Sequence, residues 1–596
     1  MTTLPTVTVE AAFASGASTS DYLHLDDTAR GLLDTATLAS GDTWEDISSY
    51  VHRIGVKRGA TRVESPILRY ESGTAAVELD NSDRRFDPTN LSGPYVSAGV
   101  TQVTPMRAIR IRATWAGVTY DLFRGFADGW KISYIPPNYS LCALTATDAT
   151  KVLTNYQRAA VGAVGGGENT GARVTRILNS VSWSASDRII ATGNTTVQAT
   201  TLDGDAWTEL LLTSDTELGE IYVDEAGRVY FRNRQAVMTD LRSTSANAVF
   251  GDQPVTGVET TVNLVTNPSA ETTLDSWAVG GSLPPTLGRS TTHAEFGSWA
   301  VLATWDTGGT GPYVGTTVSG LSVGKTYVAS AYVYVPSGSP DVVITISGGP
   351  LGTSTSTKDA FVRLSVSDVA TATSWSVQIW PVTSPTSGQK VYVDGAQVEE
   401  GATPETYCDG TQTSCEWDGA AHASTSRRLP ELHYADVEID YDDSTIANYV
   451  KITRVGGAEQ TAQDATSEQL YLTQTFERTD LIMEADDAAA DYADFILYQA
   501  KDPELRISTL TIRPDRAPTE LYPQVLGRQF GDRIRIIRRP PGGGTITSEA
   551  IIRGIEYGIE RDNWTVTWTL QSATKWAYLV LNHTTLGVLD SNALGY

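Results

Sequence analysis

Gly324-Lys325-Thr326 has the ending of a phosphate-binding loop. That chemistry needs Gly, four residues, then Gly-Lys-Ser/Thr opening a helix, so that backbone N–H groups and the helix dipole meet the anion. Gly320 stands one position too close, and Tyr327 to Val335 alternate as a strand. The triplet therefore reads as a turn into a strand. Gly165-Gly166-Gly167 is a lone glycine run and reads as a connector. Histidines 24, 52, 293, 422, 433 and 583 show no His-Glu-x-x-His or His-x-His spacing, which argues against a metalloprotease. Gly320-Leu-Ser-Val-Gly324 has Gly-x-Ser-x-Gly spacing, but a strand follows it where a nucleophile elbow needs a helix, so it does not argue for a hydrolase. Asp and Glu total 70, so some carboxylate pair always lies close in space, and that alone does not argue for a glycosidase.

Aromatic side chains offer a different chemistry, the stacking of a pyranose on a ring face. Tyr332 and Tyr334 share one face of a strand. Trp380 and Gln378 share a face opposite Val377 and Ile379, and Trp305 and Tyr313 fall near a loop rim. Core or rim packing of the same rings is the plain alternative. The three cysteines, at 142, 408 and 415, form no zinc-ribbon pattern. Cys142 sits in an apolar strand and reads as core. Cys408 and Cys415 flank an Asp409-Gly410 turn and either bridge it or pack as free thiols.

The 596 residues are enough for several domains. A net charge of -26 argues against a nucleic-acid or anionic-membrane binder and suits a soluble surface, or a pore wall that must not hold passing DNA. No run approaches the ~18 apolar residues of a membrane span, and Met1 to Glu10 shows no signal-peptide pattern. Abundant Gly, Thr, Ser and Val favour strands and turns.

The elements that would position these residues centre on Arg107 to Trp130. Ile109, Ile111 and Ala113 alternate with Arg110, Arg112 and Thr114, the chain turns at Ala116-Gly117, and a returning strand carries Arg124-Gly125. Near the end, Arg533-Ile-Arg-Ile-Ile-Arg538 turns at Pro540 to Gly544 and returns through Arg553-Gly554. This echo suggests one β-module used twice; the alternative is two unrelated hairpins built from the same β-formers. Val174, Ile177, Leu178 and Val181 have helical spacing. A second helix follows an Asp203 or Asp205 cap and stops at Gly219, and a longer one carries Ala489, Tyr492, Ala493, Ile496 and Ala500. Asp21 to Thr43 reads as a polar loop. Residues 263–426 lose charge and show short alternating strands, a β-sandwich inserted into the α+β surroundings.

Two stretches carry a family resemblance. Asn263-Leu-Val-Thr-Asn-Pro-Ser-Ala-Glu271, Gly320 to Tyr332, Val393-Asp394-Gly-Ala-Gln-Val-Glu-Glu-Gly401, and Tyr407 through His422-Ala-Ser-Thr-Ser426 resemble the carbohydrate-binding-module-like jelly rolls inserted into tail proteins of long-tailed phages. Gly73 to Pro88, Leu122 to Trp130, Thr147-Asp148-Ala149, Gly219 to Arg234 and Gly531-Asp532-Arg533 resemble minor tail proteins, of the tail-hub type, from phages of actinobacteria.

The resemblance implies a mainly β, multidomain chain with two tube-type β-barrel domains, small α+β domains and an inserted jelly roll. The expected boundaries are a first barrel domain at 1–150, an α+β domain at 151–260, the insert at 261–428, a second α+β domain at 429–515, a second barrel region at 516–575 and an extension at 576–596. It implies a non-enzymatic virion protein of the tail tip, or baseplate. Such hubs are homotrimers in which two barrels per chain make a pseudo-sixfold ring on the tail tube. In that multi-subunit ring the arginines of this acidic chain are expected to meet carboxylates of neighbouring subunits rather than DNA. Distal tail, tail tube, tape-measure and tail-fibre proteins are the expected partners. Host cell-wall glycans are candidate ligands, through Trp305, Tyr313, Tyr332, Tyr334 and Trp380. No specific nucleic-acid contact is expected of a lumen through which the genome passes. A structural Ca²⁺ in the jelly roll would use Glu271 and Asp394, and exposure of the virion outside the cell makes a Cys408–Cys415 disulfide plausible. A hexameric distal adaptor and a glycan-binding adhesin are the alternative readings.

Overall fold

The structure, a computed structural model, describes residues 4–13, 44–63, 65–97, 99–136, 139–155, 162, 167–254, 261–307, 311–412 and 415–573. The polar stretch 21–43, glycines 165 and 166, and the extension 576–596 lie outside the described residues. The chain is mainly β and divides into two compact units. One contains residues 1–252 and 432–577, the other residues 253–431.

The first unit is built on a single large sheet that uses one strand order twice. In the N-terminal part, β1 (Thr6–Ala11), β2 (Val51–Gly59), β3 (Glu71–Asp80), β4 (Ala108–Trp115), β5 (Val118–Ile135) and β6 (Tyr139–Thr147) lie in the order β1-β4-β5-β6-β3-β2. In the C-terminal part, β7 (Val249–Gly251), β8 (Asp436–Asp440), β9 (Arg506–Ile512), β10 (Arg533–Arg538), β11 (Ile546–Glu560) and β12 (Asn563–Ser572) lie in the order β7-β10-β11-β12-β9-β8. Chain order and spatial order correspond strand for strand. The parts differ at one edge, where β1 runs antiparallel to β4 but β7 runs parallel to β10.

Local chemistry explains the strands. Ala75, Val77 and Leu79 of β3 are buried in alternation with exposed residues, and Trp564, Val566, Trp568 and Leu570 of β12 are buried between half-buried ones. The tight turn joining β4 to β5 uses Ala116 and Gly117, both at positive φ (49° and 83°), as a two-residue hairpin requires. The inward faces of both parts belong to one hydrophobic core that includes Ile109, Ile111, Ile534, Ile536 and Trp568.

A helical lobe of the same unit holds α1 (Thr170–Ser180), capped by Asn169, and α2 (Ala206–Glu217), capped by Asp205, whose side chain accepts the Thr208 N–H. The left-handed residue ending α2 is Leu218 (φ 56°), not Gly219. Gly219 is needed for another reason: a Cβ there would lie 2.6 Å from the Arg232 carbonyl oxygen of the next hairpin. The later helix α3 (Asp486–Ala500) buries Ala489, Tyr492, Ala493, Ile496 and Ala500, as its spacing predicts.

The second unit is a β-sandwich of two five-stranded antiparallel sheets. Strands Tyr313–Ser319, Ser374–Pro381 and Val342–Ile346 adjoin in one sheet. Thr326–Tyr334 and Lys390–Glu400 adjoin in the other. Valines and isoleucines of both inner faces fill its core.

Candidate functional site

The doubled sheet is the feature of the first unit that bears on function. Its two meanders carry a bulge at the same place. On β5 and β6, Ala127 opposes Ala146 and Gly129 opposes Thr145, leaving Asp128 extra. On β11 and β12, Ile552 opposes Leu570 and Gly554 opposes Thr569, leaving Arg553 extra. Aligning the bulges makes Asp128-Gly129 the counterpart of Arg553-Gly554. The same alignment matches Ile109-Arg110-Ile111 with Ile534-Arg535-Ile536, because Ile109 opposes Gly125 and Ile534 opposes Ala550. The sequence echo is therefore real at the level of strands, while its two Arg-Gly pairs are four residues out of step.

Each extra residue anchors the sheet to a neighbour. Asp128 accepts from Lys151 Nζ at 2.6 Å and from Thr147 Oγ1 at 2.8 Å. Arg553, 1% exposed, donates to Gln571 at 2.8 Å, to the Tyr70 hydroxyl at 3.2 Å and to Glu220. Glu220 also takes Arg232 Nη1 at 3.1 Å. Burial works against ionisation of Glu220, but the Arg553 and Arg232 guanidiniums outweigh it and hold its carboxyl below the usual range.

The expectation that the hairpin arginines await carboxylates of other subunits is corrected. Arg110 and Arg112 bind Glu10 at 2.6 and 2.7 Å. Arg533 and Arg535 bind Glu549 at 2.5 and 2.6 Å, and Arg538 and Arg539 bind Asp252 at 2.7 and 2.8 Å. Cross-strand register supplies these acids within the chain, since Glu10 lies opposite Arg110 and Glu549 opposite Arg535.

In the second unit the five aromatic candidates do not converge. Trp305 is 1% exposed and belongs to the core, so it is no ring for a sugar. Tyr332 and Tyr334 lie on the outer face of one sheet. There Tyr332 packs against Phe296 and under Arg363, and Tyr334 stacks on His293 at 3.9 Å. Tyr313 and Trp380 lie on the outer face of the other sheet, stacked at 5.8 Å and 12°. Trp380 Nε1 donates to Gln378 Oε1 at 2.9 Å, and Gln378 Nε2 donates to Ser376 Oγ at 3.1 Å. A Cβ on Gly280 would meet the Tyr313 ring at 2.4 Å, and one on Gly311 the Trp380 ring at 3.1 Å, so glycines floor both rings. This half-buried aromatic pair beside an ordered amide is the arrangement best suited to stacking a sugar.

Glu271 and Asp394 hold one loop together. Glu271 Oε1 accepts the Ser298 and Trp299 N–H groups at 2.9 and 2.8 Å. Asp394 Oδ2 accepts those of Glu295 and Phe296 at 2.7 and 2.9 Å. Burial pushes the Asp394 carboxyl up to about 6 against these donors. Among the described residues no group of three or more His, Cys, Asp or Glu could hold a metal ion. Cys408 and Cys415 form a disulfide with Cα atoms 5.9 Å apart, and Cys142 is a buried free thiol pushed up to about 12 by burial. Gly324-Lys325-Thr326 is a turn in which Gly324 donates to the Ala370 carbonyl and Lys325 pairs with Glu400 at 2.9 Å. His422 packs beside Trp417, with ring centroids 5.0 Å apart. Among the described residues no helix is long and apolar enough to cross a membrane.

No protein-family model matches the chain, and no curated protein does. Among solved structures it is similar to the tail protein from Neisseria meningitidis MC58, at 7% identity and a TM-score of 0.41, over 95% of this chain and 96% of that one. It is similar to the 43 kDa tail protein of prophage MuSo2 from Shewanella oneidensis, at 8% identity and a TM-score of 0.39, over 96% and 97%. A smaller part of the chain, 24%, is similar to the CBM22-1 xylan-binding domain of Paenibacillus barcinonensis Xyn10C at 15% identity and a TM-score of 0.18, covering 96% of that domain.

Proposed function

We propose that the chain is a structural, non-enzymatic component of a phage tail tip: a homotrimeric baseplate hub joining the hexameric tail tube to the distal tip and lining part of the DNA exit channel. The observation that carries this reading is the strand order used twice in one chain. Two similar modules per chain let three chains present six similar faces to a sixfold tube, which one module per chain could do only as a hexamer. The acidic balance, -26, fits a lumen that lets DNA slide. The hub-like residues Gly73 to Pro88 and Leu122 to Trp130 form β3 with its following loop and the bend of β5, within the doubled sheet itself. Distal tail, tape-measure and fibre proteins would be its neighbours in the virion. Sedimentation equilibrium tests the state: a trimer weighs about 192 kDa, three times the 64.0 kDa chain, and a monomer at micromolar concentration refutes the hub. A mass near six chains would favour a distal adaptor.

One observation favours a second activity. The Tyr313–Trp380 pair over Gly280 and Gly311 is a stacking platform for a host cell-wall glycan. A glycan array with the whole protein tests it; loss of binding in Trp380→Ala with the fold intact supports it, and no binding by the native protein refutes it. A structural Ca²⁺ beside Glu271 and Asp394 is proposed with it, tested by whether chelator lowers the melting temperature.

A further inference from the structure

The two copies of the module differ in what covers one edge. In the C-terminal copy, β11 is long enough to pair twice on the same side. Ile546 to Ile551 pair with β10, and Gly554 to Glu560 pair with β2 of the other copy. In the N-terminal copy, β5 carries the same bulge and, like β11, runs six residues beyond its glycine. Its first half pairs with β4, but among the described strands none pairs with that edge over Gly129 to Ile135. The consequences are visible residue by residue. Ile555, Tyr557 and Ile559 are 1, 1 and 5% exposed, whereas their counterparts Trp130 and Ile132 are only half-buried and Tyr134 is 58% exposed. A Cβ on Gly554 would strike the Ala60 carbonyl 2.2 Å away beyond β2, while one on Gly129 would meet nothing within 4 Å. The strand that corresponds to β2 is β8, and its outer edge likewise pairs with no described strand.

We infer that β8 of one chain adds to the second half of β5 of the next chain, repeating between subunits the β2–β11 pairing made within each chain. The occupant is a second copy, because the chain itself shows what strand fits this edge. An unpaired edge beside an exposed apolar face is a template for such addition, and a head-to-tail contact of this kind closes into a ring if the rotation allows. The register follows from the ladders. Ile54 opposes Val77 of β3, and Val437 opposes Leu510, the matching residue of β9, so β8 maps onto β2 with Val437 at Ile54. Transferring the pairs Ile54–Ile559 and Arg53–Glu560 then sets Val437 opposite Tyr134 and Asp436 opposite Ile135. Continuing along the strands sets Asp440 opposite Lys131. The charges agree with that register: Lys57 faces Glu556 within the chain, and the acid and base are exchanged between chains.

This interface rests on the trimeric reading, and the test separates the two. The double variant Lys131→Cys, Asp440→Cys is purified as the full chain and oxidised, with Tyr134→Cys, Val437→Cys as a second in-register pair and Lys131→Cys, Val437→Cys as the mismatched control. Covalent dimers and trimers on non-reducing gels from both in-register pairs, and none from the control, are expected. A native trimer by sedimentation without these adducts overturns the strand pairing while leaving the ring intact. A monomer overturns both.

Discussion

Replacing Glu220 by Gln tests the buried network that joins the helical lobe to the doubled sheet. Glu220 sits between Arg232 and Arg553, with side-chain exposures of 5, 3 and 1%. The substitution keeps the shape and removes a carboxylate that both guanidiniums share; Arg232 retains the half-exposed Asp240 at 3.4 Å, and Arg553 keeps its bonds to the neutral Gln571 and Tyr70. Breaking a buried pair by deleting one partner costs about 3–5 kcal/mol, because a charge stays buried without compensation. That is a large share of the ~5–15 kcal/mol that holds a typical domain together. Urea unfolding at pH 7, followed by tryptophan fluorescence, should show the midpoint fall. Glu220→Gln, Arg553→Met should recover part of the loss, since the stranded charge goes with it. The pH dependence has a definite sign. The Glu220 carboxyl is held below its ordinary value in the fold, so its contribution is present above pH ~4.5 and is lost as pH falls through the folded value. The deficit of the variant should therefore shrink in acid. A loss under ~1 kcal/mol at pH 7 would refute the view that this network ties the lobe to both copies of the module.

Three other outcomes are expected. Alkylation of the unreduced protein should leave Cys408 and Cys415 unmodified, and Cys408→Ser should lower stability by about 2 kcal/mol, the loop-entropy value for so short a ring. Trp305→Ala should cost the insert about 3–5 kcal/mol as a core cavity, whereas Trp380→Ala should cost far less, both read by thermal melting. Asp394 ionises less readily in the fold than in the unfolded chain, so stability should decline as pH rises from about 4 to about 6 and level off above; a wild-type melting profile no different from that of Asp394→Asn would contradict this.

Much of this was legible in the residues. Alternation marked β3 and β12, the Asp203/Asp205 pair marked a helix start that the structure caps with Asp205, and the Ile-Arg-Ile triplets marked a repeated strand. What escaped was set by pairs of elements. The bulges at Asp128 and Arg553 exist only relative to β6 and β12, so no single strand revealed that the Arg-Gly pairs are out of step. β7 and β8 are short and, in β8, acidic, with too little periodicity to stand out. Alternation with Val377 and Ile379 placed Trp380 on the outer face, whereas Trp305 follows its strand and only the packed sandwich shows that its ring enters the core. Leu218 holds the left-handed position while Gly219 makes the close approach to Arg232, a contact between two elements that a helix-stop pattern does not show.

On the proposed function, three chains, each with two copies of the module, make one ring. End-on electron-microscopy averages of the purified protein test it most directly. Three-fold particles with six similar lobes around a central opening are predicted. Single-chain particles, or a ring containing six copies of the chain, would contradict it.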